Sequence, residues 1–236
     1  MMHISLLSTI DSPILGYIIE AFLRHGAPVH SILLDPTPYS AKNKGLFDQR
    51  TGNRMPPIPL ATFEGHAIPF FFFSSHTSVA CREYVTQNSI DILVNAGTPR
   101  ILPAGVLESP RMGVLNCHPG LLPDYRGCSC VEWALWNNDP VGNTVHLMTA
   151  EIDRGPILRK EPITRNPHDT YQDIRIKAYL EGFDLLARTV KQLINGDMTE
   201  ADFEPGTEGT YYKPMPDDVF QKLLKRLPGS HESDTR

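Results

Sequence analysis

The segment from Asn116 to Gly127, which reads Asn-Cys-His-Pro-Gly-Leu-Leu-Pro-Asp-Tyr-Arg-Gly, carries the side chains best suited to chemistry. Asn116 and His118 are two residues apart and follow a short apolar stretch, Gly113-Val114-Leu115. Side chains two apart on an extended backbone point to the same side. Both can donate a hydrogen bond to an oxygen that gains negative charge during a reaction. The spacing therefore predicts a pair of fixed donors at the end of a β-strand.

A carboxylate follows at Asp153, within the turn-like sequence Glu-Ile-Asp-Arg-Gly-Pro. A carboxylate at such a position can take part in proton transfer, or it can simply build an Asx turn before Arg154 and Gly155. On these residues alone, both interpretations stay open.

Three cysteines lie near His118 in the sequence, at positions 117, 128 and 130. Thiolates and imidazole together bind zinc, but this spacing matches none of the usual structural zinc patterns. We therefore interpret the cysteines as buried thiols and expect no metal.

The composition bounds the class of protein. The 236 residues include 22 basic and 27 acidic side chains, for a formal net charge of −5. This balance argues against a nucleic-acid partner, because such proteins carry basic surfaces. No stretch approaches the roughly 20 apolar residues of a membrane span, and the N-terminus has no cationic leader. We expect a cytoplasmic protein with reduced thiols and no membrane partner.

The first part of the chain predicts a strand, a helix and a strand. Residues His3 to Ser8 form the first strand, and Val29 to Leu34 form the second. Between them, Ser12 and Pro13 are typical of a helix start, and Gly26 is typical of a helix end. A βαβ unit of this kind indicates a parallel sheet.

Residues 35–59 interrupt this pattern with five prolines and four basic residues. The segment is either a solvated excursion between two sheet elements or a substrate lid, since long loops in compact domains are often functional. Its basic residues would suit a phosphorylated or acidic substrate.

The rest of the chain predicts further alternation of helices and strands. Ile68 to Ser74 is predicted as a strand that is buried on both faces. Asp169 is predicted to cap a long helix to Asn195, with Gln172 completing a capping box. We expect one domain over 1–228, with a short C-terminal extension from 198 and a disordered tail at 229–236.

The motif Asn-x-His-Pro-x-Leu-Leu-Pro-x-Tyr-Arg-Gly, followed by Asp153 in Asp-Arg-Gly-Pro-Ile-Leu, resembles the 10-formyltetrahydrofolate-dependent formyltransferases. That family includes glycinamide ribonucleotide, methionyl-tRNA and sugar N-formyltransferases. The resemblance is best from Asp91 to Leu158. It implies an α/β fold, a Rossmann-like and mostly parallel sheet flanked by helices, with the active site at the carboxyl ends of the strands.

The resemblance also implies roles for individual residues. Asn116, His118 and Asp153 match the family's catalytic set, and N10-formyltetrahydrofolate is the implied co-substrate. Two segments would line the folate site, mainly through backbone groups: Ala96, Gly97, Arg100, Ile101 and Leu102 on one side, and Met148, Thr149, Ala150, Glu151 and Ile152 on the other.

In the implied reaction a primary amine attacks the formyl carbon held on N10 of the folate. Asn116 and a protonated His118 would stabilise the oxygen that gains charge. Asp153 would keep His118 protonated and relay a proton through water to the leaving nitrogen. No covalent enzyme intermediate is needed.

The acceptor side is less defined. Thr9, Ile10, Pro119 and Tyr211 are assigned to it, whereas Tyr125 and Arg126 either shape it or only fix the loop. The first strand leads to Ser8-Thr9-Ile10-Asp11-Ser12 rather than to a glycine-rich phosphate loop, which argues against a glycinamide ribonucleotide substrate. The extra domains of the tRNA enzymes and of the hydrolases are also not evident.

We therefore expect an N-formyltransferase for a small amine, with a nucleotide-linked amino sugar as a candidate. The alternatives are a 10-formyltetrahydrofolate hydrolase and a non-catalytic folate-binding module. A homodimer is plausible because of apolar strands such as Phe70 to Phe73.

Overall fold

The computed structural model describes residues 2–229. The strands within this range are β1 (Ile4–Thr9), β2 (Ser31–Asp35), β3 (Phe70–Phe72), β4 (Ile92–Asn95), β5 (Val114–His118), β6 (Arg126–Gly127), β7 (Gly142–Leu147), β8 (Ile157–Pro162) and β9 (Tyr211–Tyr212). The α-helices are α1 (Leu15–Arg24), α2 (Ala41–Thr51), α3 (Val79–Gln87), α4 (Ala104–Leu107), α5 (Cys130–Asn137), α6 (Tyr171–Asn195) and α7 (Asp217–Leu224). Short 3₁₀ helices span Leu60–His66 and Glu200–Asp202.

The main sheet has seven strands in the order β3-β2-β1-β4-β5-β7-β8. The first five in this order run parallel, while β7 is antiparallel to both β5 and β8. The prediction of a mostly parallel α/β sheet flanked by helices is confirmed. Because five strands run parallel, their carboxyl ends meet at one edge of the sheet.

Each face of the sheet is covered by a separate apolar layer. On one face, Leu6, Ile32 and Val94 belong to a buried cluster with residues of α1 and α6. On the other face, Leu7 and Leu33 pack with residues of α3 and α4. Complete burial of such a side chain typically stabilises the fold by about 1.5–3 kcal/mol. These two layers hold the strand ends in place.

The start of α1 differs from the prediction. The helix begins at Leu15, and Ile14 occupies the N-cap position without a side-chain hydrogen bond. Ser12, predicted as the cap, instead donates its hydroxyl to the Ala96 carbonyl oxygen at 3.4 Å. The serine is therefore used to join two loops at the carboxyl edge of the sheet. Gly26 follows the helix end with a φ of 62°, in agreement with its predicted place.

Residues 35–59 are not a continuous loop, because they contain α2. Ser40 caps this helix by accepting a hydrogen bond from Asn43 N, and Gly52 ends it in a left-handed conformation. The flanking chain is fixed as well: Tyr39 N donates to the Asp11 carboxylate at 2.9 Å. Sequence reasoning missed the helix because only Phe47 and Thr51 of it are buried, which leaves a weak apolar pattern.

The prediction that 68–74 forms a strand buried on both faces is wrong. The strand covers only Phe70–Phe72, lies at the edge of the sheet, and is exposed at all three residues. The hydrophobic composition of the strand does not show whether it lies at the centre or at the edge of the sheet, although Pro69 before it is typical of an edge strand.

The capping box of α6 is displaced by one residue from the prediction. Thr170 is the N-cap, and the Asp173 carboxylate accepts a hydrogen bond from the Thr170 backbone N–H. Asp169 lies just outside the helix and forms an ion pair with Lys177 at 2.6 Å. Gly196 ends the helix with a φ of 77°, as predicted.

The chain beyond Met198 packs back on the domain. β9 pairs in parallel with β6, and Trp133 and Trp136 pack against the same apolar cluster as Phe220 of α7. The predicted disordered tail lies, apart from Gly229, outside the described residues. No helix within residues 2–229 is long and apolar enough to cross a membrane.

Candidate active site

One face of the sheet changes from apolar to polar at the carboxyl edge. Alternation along each strand places a polar residue two positions after a buried apolar one on the same face. The pairs are Leu33 and Asp35, Leu7 and Thr9, Leu93 and Asn95, and Val114 and Asn116, with His118 two positions further. Strand register brings these polar ends side by side and adds His146 of β7 opposite Asn116.

Hydrogen bonds fix the direction of the side chains in the middle of this row. The backbone N–H groups of Gly97 and Thr98 donate to Asn95 Oδ1 at 3.1 and 3.0 Å. Asn95 Nδ2 must then be the donor to Asn116 Oδ1, at 2.9 Å. The Asn116 amide nitrogen therefore points away from Asn95, toward His146. Because an amide carries two N–H groups, Asn116 can bond His146 and still donate to a ligand.

His146 receives this hydrogen bond and is a site residue that sequence reasoning missed. Its Nε2 lies 3.2 Å from Asn116 Nδ2, and its Nδ1 donates to the Leu147 carbonyl oxygen at 2.9 Å. Burial lowers the pKa of His146 to about 4, despite the nearby Asp153 charge. Asn116 can donate a hydrogen bond to His146 only when the His146 ring is neutral, because a protonated Nε2 cannot accept one. The available signal in the sequence was a histidine within an otherwise mostly apolar stretch, which the structure shows as the buried strand β7.

The structure brings His118 and Asp153 together, although they come from different elements. His118 Nδ1 lies 3.4 Å from Asp153 Oδ2, and His118 Nε2 donates to the Tyr125 carbonyl oxygen at 2.8 Å. Asp153 Oδ1 also lies 3.6 Å from His146 Nε2. The carboxylate therefore lies between two imidazoles, at the end of the row that contains Asn116.

The ionisation of His118 differs from the expectation. We expected Asp153 to keep the imidazole protonated, but burial lowers the pKa of His118, and the Asp153 charge offsets this only in part. The neutral ring holds its proton on Nε2, because that nitrogen faces a carbonyl oxygen. Nδ1 and the Asp153 carboxylate then form two adjacent acceptors that can share one incoming proton.

The turn around Asp153 is held from the opposite side by the Tyr-Arg-Gly part of the motif. Gly127 N donates to Asp153 Oδ2 at 2.8 Å, and Arg126 Nη2 donates to the Ile152 carbonyl oxygen at 2.8 Å. Asp153 itself has a φ of 54°, a left-handed conformation that aspartate tolerates better than most residues. Arg126 is buried, so its side chain holds the loop in place and is not solvated.

Gly120 occupies a position where no side chain fits. A Cβ atom there would lie 2.7 Å from the Tyr125 carbonyl oxygen and 2.8 Å from His118 Nε2. The close approach of the two backbones explains the glycine. Thr144 also supports this loop, because its hydroxyl donates to the Gly120 carbonyl oxygen at 2.7 Å.

Of the three cysteines near the motif, Cys130 is buried and Cys117 is partly buried, whereas Cys128 is exposed, so the prediction of a buried thiol is wrong for Cys128. Burial raises the pKa of Cys117 to about 12, and burial together with nearby carboxylates raises that of Cys130 to about 12. A thiol in that state is a poor nucleophile and a poor metal ligand. Within residues 2–229, no group of three or more His, Cys, Asp or Glu side chains is arranged to hold a metal ion.

The two segments assigned to the folate site flank this row. On the first, Ala96 and Leu102 are buried, while Ile101 is 94% exposed. On the second, Met148 is half-buried and Thr149, Ala150, Glu151 and Ile152 are exposed. Exposed apolar side chains occur on both segments, since Ile152 is also 56% exposed. These loops therefore offer apolar surface beside the polar row, as a flat aromatic ligand requires.

Arg100 uses its side chain within the protein. Its Nε and Nη2 donate to the two carboxylate oxygens of Asp35 at 2.8 and 3.1 Å. Thr37 N and His76 N donate to the same carboxylate. Burial would raise the pKa of Asp35, but the hydrogen bonds from Arg100, Thr37 and His76 hold it well below its usual range. This cluster, the Asp35 network, fixes the first folate segment to the end of β2.

The residues assigned to the acceptor fall in two places. Thr9 is buried at the end of β1, and Ile10 beside it is 59% exposed. The motif loop contains Pro119, Tyr125 and Arg126, and Tyr211 of β9 pairs with Arg126. There Arg126 lies 6.0 Å from the Tyr211 ring, and the Tyr125 hydroxyl donates to Asp139. Tyr125 also stacks on Tyr212, so its ring faces the protein interior.

The structure brings Asn116, His118 and Asp153, the three residues that the formyltransferase resemblance singled out, together at the carboxyl end of β5. The formyl transferase family model matches residues 14–190 of this chain. The chain belongs to the formyl transferase family.

Individual relatives agree with this assignment. The methionyl-tRNA formyltransferase of Thermotoga maritima is 29% identical over 202 residues, which are 84% of this chain and 60% of that enzyme. The bifunctional polymyxin resistance protein ArnA of Wigglesworthia glossinidia brevipalpis is 30% identical over 154 residues, 65% of this chain and 24% of that protein. The chain thus spans less than two thirds of the length of these relatives.

Solved structures share the fold. Glycinamide ribonucleotide transformylase 1 from Symbiobacterium toebii has a TM-score of 0.62 and 22% identity, covering 88% of this chain and 95% of that one. A sugar N-formyltransferase from a Shewanella species has a TM-score of 0.58 and 21% identity, and the match covers 92% of this chain and 78% of that one.

Proposed function

We propose that the protein transfers the formyl group of N10-formyltetrahydrofolate to a primary amine of a small molecule. The observation that carries the proposal is the arrangement at the carboxyl end of β5. There Asn116, whose amide is oriented by a hydrogen bond, lies beside His118 and the Asp153 carboxylate that faces it. Donors fixed by other hydrogen bonds need no reorganisation when charge develops on a substrate oxygen.

Asn116 stabilises the reaction by donating to the formyl oxygen while the amine attacks. Its carbonyl oxygen is occupied by Asn95 and its amide also faces His146, so the remaining N–H has a set direction. Losing one such donor typically costs about 3 kcal/mol of transition-state stabilisation.

His118 and Asp153 act as the proton carrier. The attacking amine must lose a proton, and the leaving folate nitrogen must gain one. His118 Nδ1 and Asp153 Oδ2, 3.4 Å apart, accept the first proton between them and return it, with water bridging to the leaving nitrogen. A resting pair without that proton agrees with the lowered pKa of His118.

The folate would lie against the two flanking loops, with Ile101 and Ile152 supplying apolar contact and the loop backbones supplying hydrogen bonds. Residues Ala96 to Leu102 and Met148 to Ile152 hold it so that the formyl carbon faces Asn116. Stable placement of these loops is required, because misplacement of reacting groups by 1 Å can reduce the rate about 100-fold.

A nucleotide-linked amino sugar is the candidate acceptor. Its support is the net charge of −5, which disfavours a large polyanion such as tRNA, and the exposed side chains of Lys42 and Lys44 in α2, which would suit a phosphorylated acceptor. The exposed edge strand β3 is the candidate surface for a homodimer.

The direct test is release of tetrahydrofolate from N10-formyltetrahydrofolate with and without a panel of primary amines. The proposal predicts release that depends on an amine, together with a formylated amine in equal amount. Rapid release without any amine would identify a hydrolase instead. Binding without release under either condition would identify a non-catalytic folate-binding module.

A further inference from the structure

The chain after Met198 crosses both segments that hold the His118–Asp153 pair. Glu204 exchanges backbone hydrogen bonds with Ile157, at 2.8 and 2.9 Å, just after the turn that contains Asp153. β9 then pairs in parallel with β6 at the end of the motif loop, residues 119–127. Residues 204–212, the crossing segment, therefore lie first against the Asp153 turn and then against the motif loop.

Two glycines let the crossing segment approach these two backbones closely. A Cβ atom at Gly206 would overlap the carbonyl group of Arg154, the residue after Asp153. A Cβ atom at Gly209 would overlap the carbonyl group of Pro123 in the motif loop. Only glycine allows such approaches, so the sequence of the crossing segment specifies its packing on both sides of the pair.

Pairing with β9 directs one backbone N–H of β6 toward Asp153. The N–H groups of residues 126 and 128 donate to carbonyl oxygens of the crossing segment at 3.0 and 2.9 Å. Because successive N–H groups along a strand point to opposite edges, the N–H of Gly127 points away from β9. It donates to Asp153 Oδ2 at 2.8 Å. β9 therefore sets the direction of the hydrogen bond that holds the carboxylate.

The imidazole of the pair depends on the same strand. His118 Nε2 donates to the Tyr125 carbonyl oxygen at 2.8 Å. The ring of Tyr125 stacks on the ring of Tyr212 in β9, with 5.1 Å between the centroids and 7° between the planes. Trp133 also stacks on Tyr212, at 5.5 Å. Such stacks are a favoured arrangement of aromatic rings, so Tyr212 holds the residue that orients His118.

We propose that β9 fixes the position of His118 relative to Asp153, and that Tyr212 is the positioning residue. The strand holds the carboxylate through Gly127 and the imidazole through Tyr125. The inference rests on the proposed formyl transfer, because it makes the C-terminal extension part of the machinery for the same proton transfer. Tyr212 acts through these two residues and carries no proton itself.

The kinetics of two variants at Tyr212 test this role. Tyr212→Ala removes the stacked ring, so kcat for formyl transfer should fall about tenfold or more, since a displacement of 1 Å can cost about 100-fold. The KM for N10-formyltetrahydrofolate should stay unchanged. Tyr212→Phe keeps the ring and loses only the hydroxyl, which accepts from Asn137, so kcat should be that of wild type. A wild-type kcat in Tyr212→Ala, or an equal fall in both variants, would overturn the proposal.

Phe220→Ala is the matched control for loss of an aromatic ring. Phe220 belongs to the same C-terminal extension but packs on Tyr171, with 5.1 Å between the ring centroids. Its loss should lower the temperature of thermal unfolding and leave kcat unchanged. If kcat falls in both alanine variants in proportion to their loss of thermal stability, Tyr212 is only structural and the proposal fails.

Hydrogen exchange at the Gly127 amide separates this inference from the proposed function, because it needs no catalysis. The amide should exchange slowly in wild type and in Phe220→Ala, and about tenfold or more faster in Tyr212→Ala, where its partner is no longer held. That pattern supports positioning by β9 even if no amine is formylated, in which case only the proposed function fails. Faster exchange with a wild-type kcat would overturn the positioning role and leave the transfer intact.

Gly209→Ala provides the same test if Tyr212→Ala does not fold. Gly209 is exposed, so the substitution removes no core contact, but its Cβ would displace the crossing segment from Pro123. The control is Gly45→Ala in α2, where a Cβ meets no atom within 4 Å. Gly209→Ala should lower kcat and speed Gly127 exchange, whereas the control should match wild type. A folded Gly209→Ala with wild-type values for both would overturn the proposal.

Discussion

Two buried carboxylates, Asp35 and Glu132, are each paired with arginine, and the two clusters differ in how completely they are bonded. In the Asp35 network, each carboxylate oxygen accepts two hydrogen bonds, from Arg100, Thr37 N and His76 N. In the Glu132 cluster, Glu132 Oε1 accepts from the Tyr171 hydroxyl and lies near Arg50 and Arg175, whereas Glu132 Oε2 has no hydrogen-bond partner within residues 2–229.

The difference indicates different uses of similar residues. A fully bonded network has nothing left to offer a ligand and serves to hold backbone in place. The Asp35 network therefore fixes the loop that contains Arg100 to the end of β2. The Glu132 cluster lines a cavity of about 140 Å³ and keeps polar atoms that have no hydrogen-bond partner within residues 2–229. Substitutions in the two clusters should have different consequences.

The largest effect is expected for Glu132→Ala. The change leaves Arg175, which is 1% exposed, without its counter-charge. Breaking a buried pair in this way typically costs about 3–5 kcal/mol of unfolding free energy, measured by urea denaturation. The control is Glu161→Ala, which removes an exposed pair with Arg188 and should cost about 1 kcal/mol or less. Equal losses in both variants would contradict the buried network.

A smaller and more selective effect is expected for Asp35→Asn. Loss of the bidentate contact frees Arg100 and the loop that it holds, so the KM for N10-formyltetrahydrofolate should rise about tenfold. The KM for the amine should stay unchanged. Asp91→Asn, which breaks a similar pair with Arg111 at 2.6 Å at the opposite end of β4, is the control. A folate KM that rises equally in the control would refute a specific role for the Asp35 network.

The smallest effect is expected in the acid stability of the same pair. The folded-state pKa of Asp35 lies below its ordinary value of 3.8, so its stabilisation is complete above about pH 4 and is lost as the pH falls. The difference in unfolding free energy between wild type and Asp35→Asn should therefore shrink below pH 4. A difference that is constant from pH 6 to pH 2 would show that the carboxylate's ionisation is not what stabilises the loop.

The sequence predicted correctly that Asn116 and His118 lie at the end of one strand, because the signals for this placement are local. Asn116 and His118 are two residues apart on one strand, and their shared direction follows from the geometry of that strand. The partners Asn95 and His146 come from other strands. Their contacts depend on strand order and register, which a single sequence does not specify. Polar residues in otherwise buried strands were the only sign of them.

The fold was predicted where apolar periodicity is strong and missed where it is weak. The helix predicted between Ser12 and Gly26 is present as α1, and its apolar residues Leu15, Ile18, Ile19 and Phe22 are buried at helical spacing. α2 buries only Phe47 and Thr51, so the prolines around it suggested a loop. For Phe70–Phe72, the composition indicated a strand but could not show that it lies at the sheet edge.

The most direct test of the account is the single-turnover rate of formyl transfer in Asn116→Ala, with Cys117→Ala as the neighbouring control. Cys117 lies on the same strand and contacts the Gly182 carbonyl oxygen on the other face. Removal of the Asn116 donor should lower the rate by about 10²–10³ while folate affinity is retained, and the control should be near wild type. An Asn116→Ala enzyme that transfers formyl at the wild-type rate would contradict the assignment of this strand end as the catalytic centre.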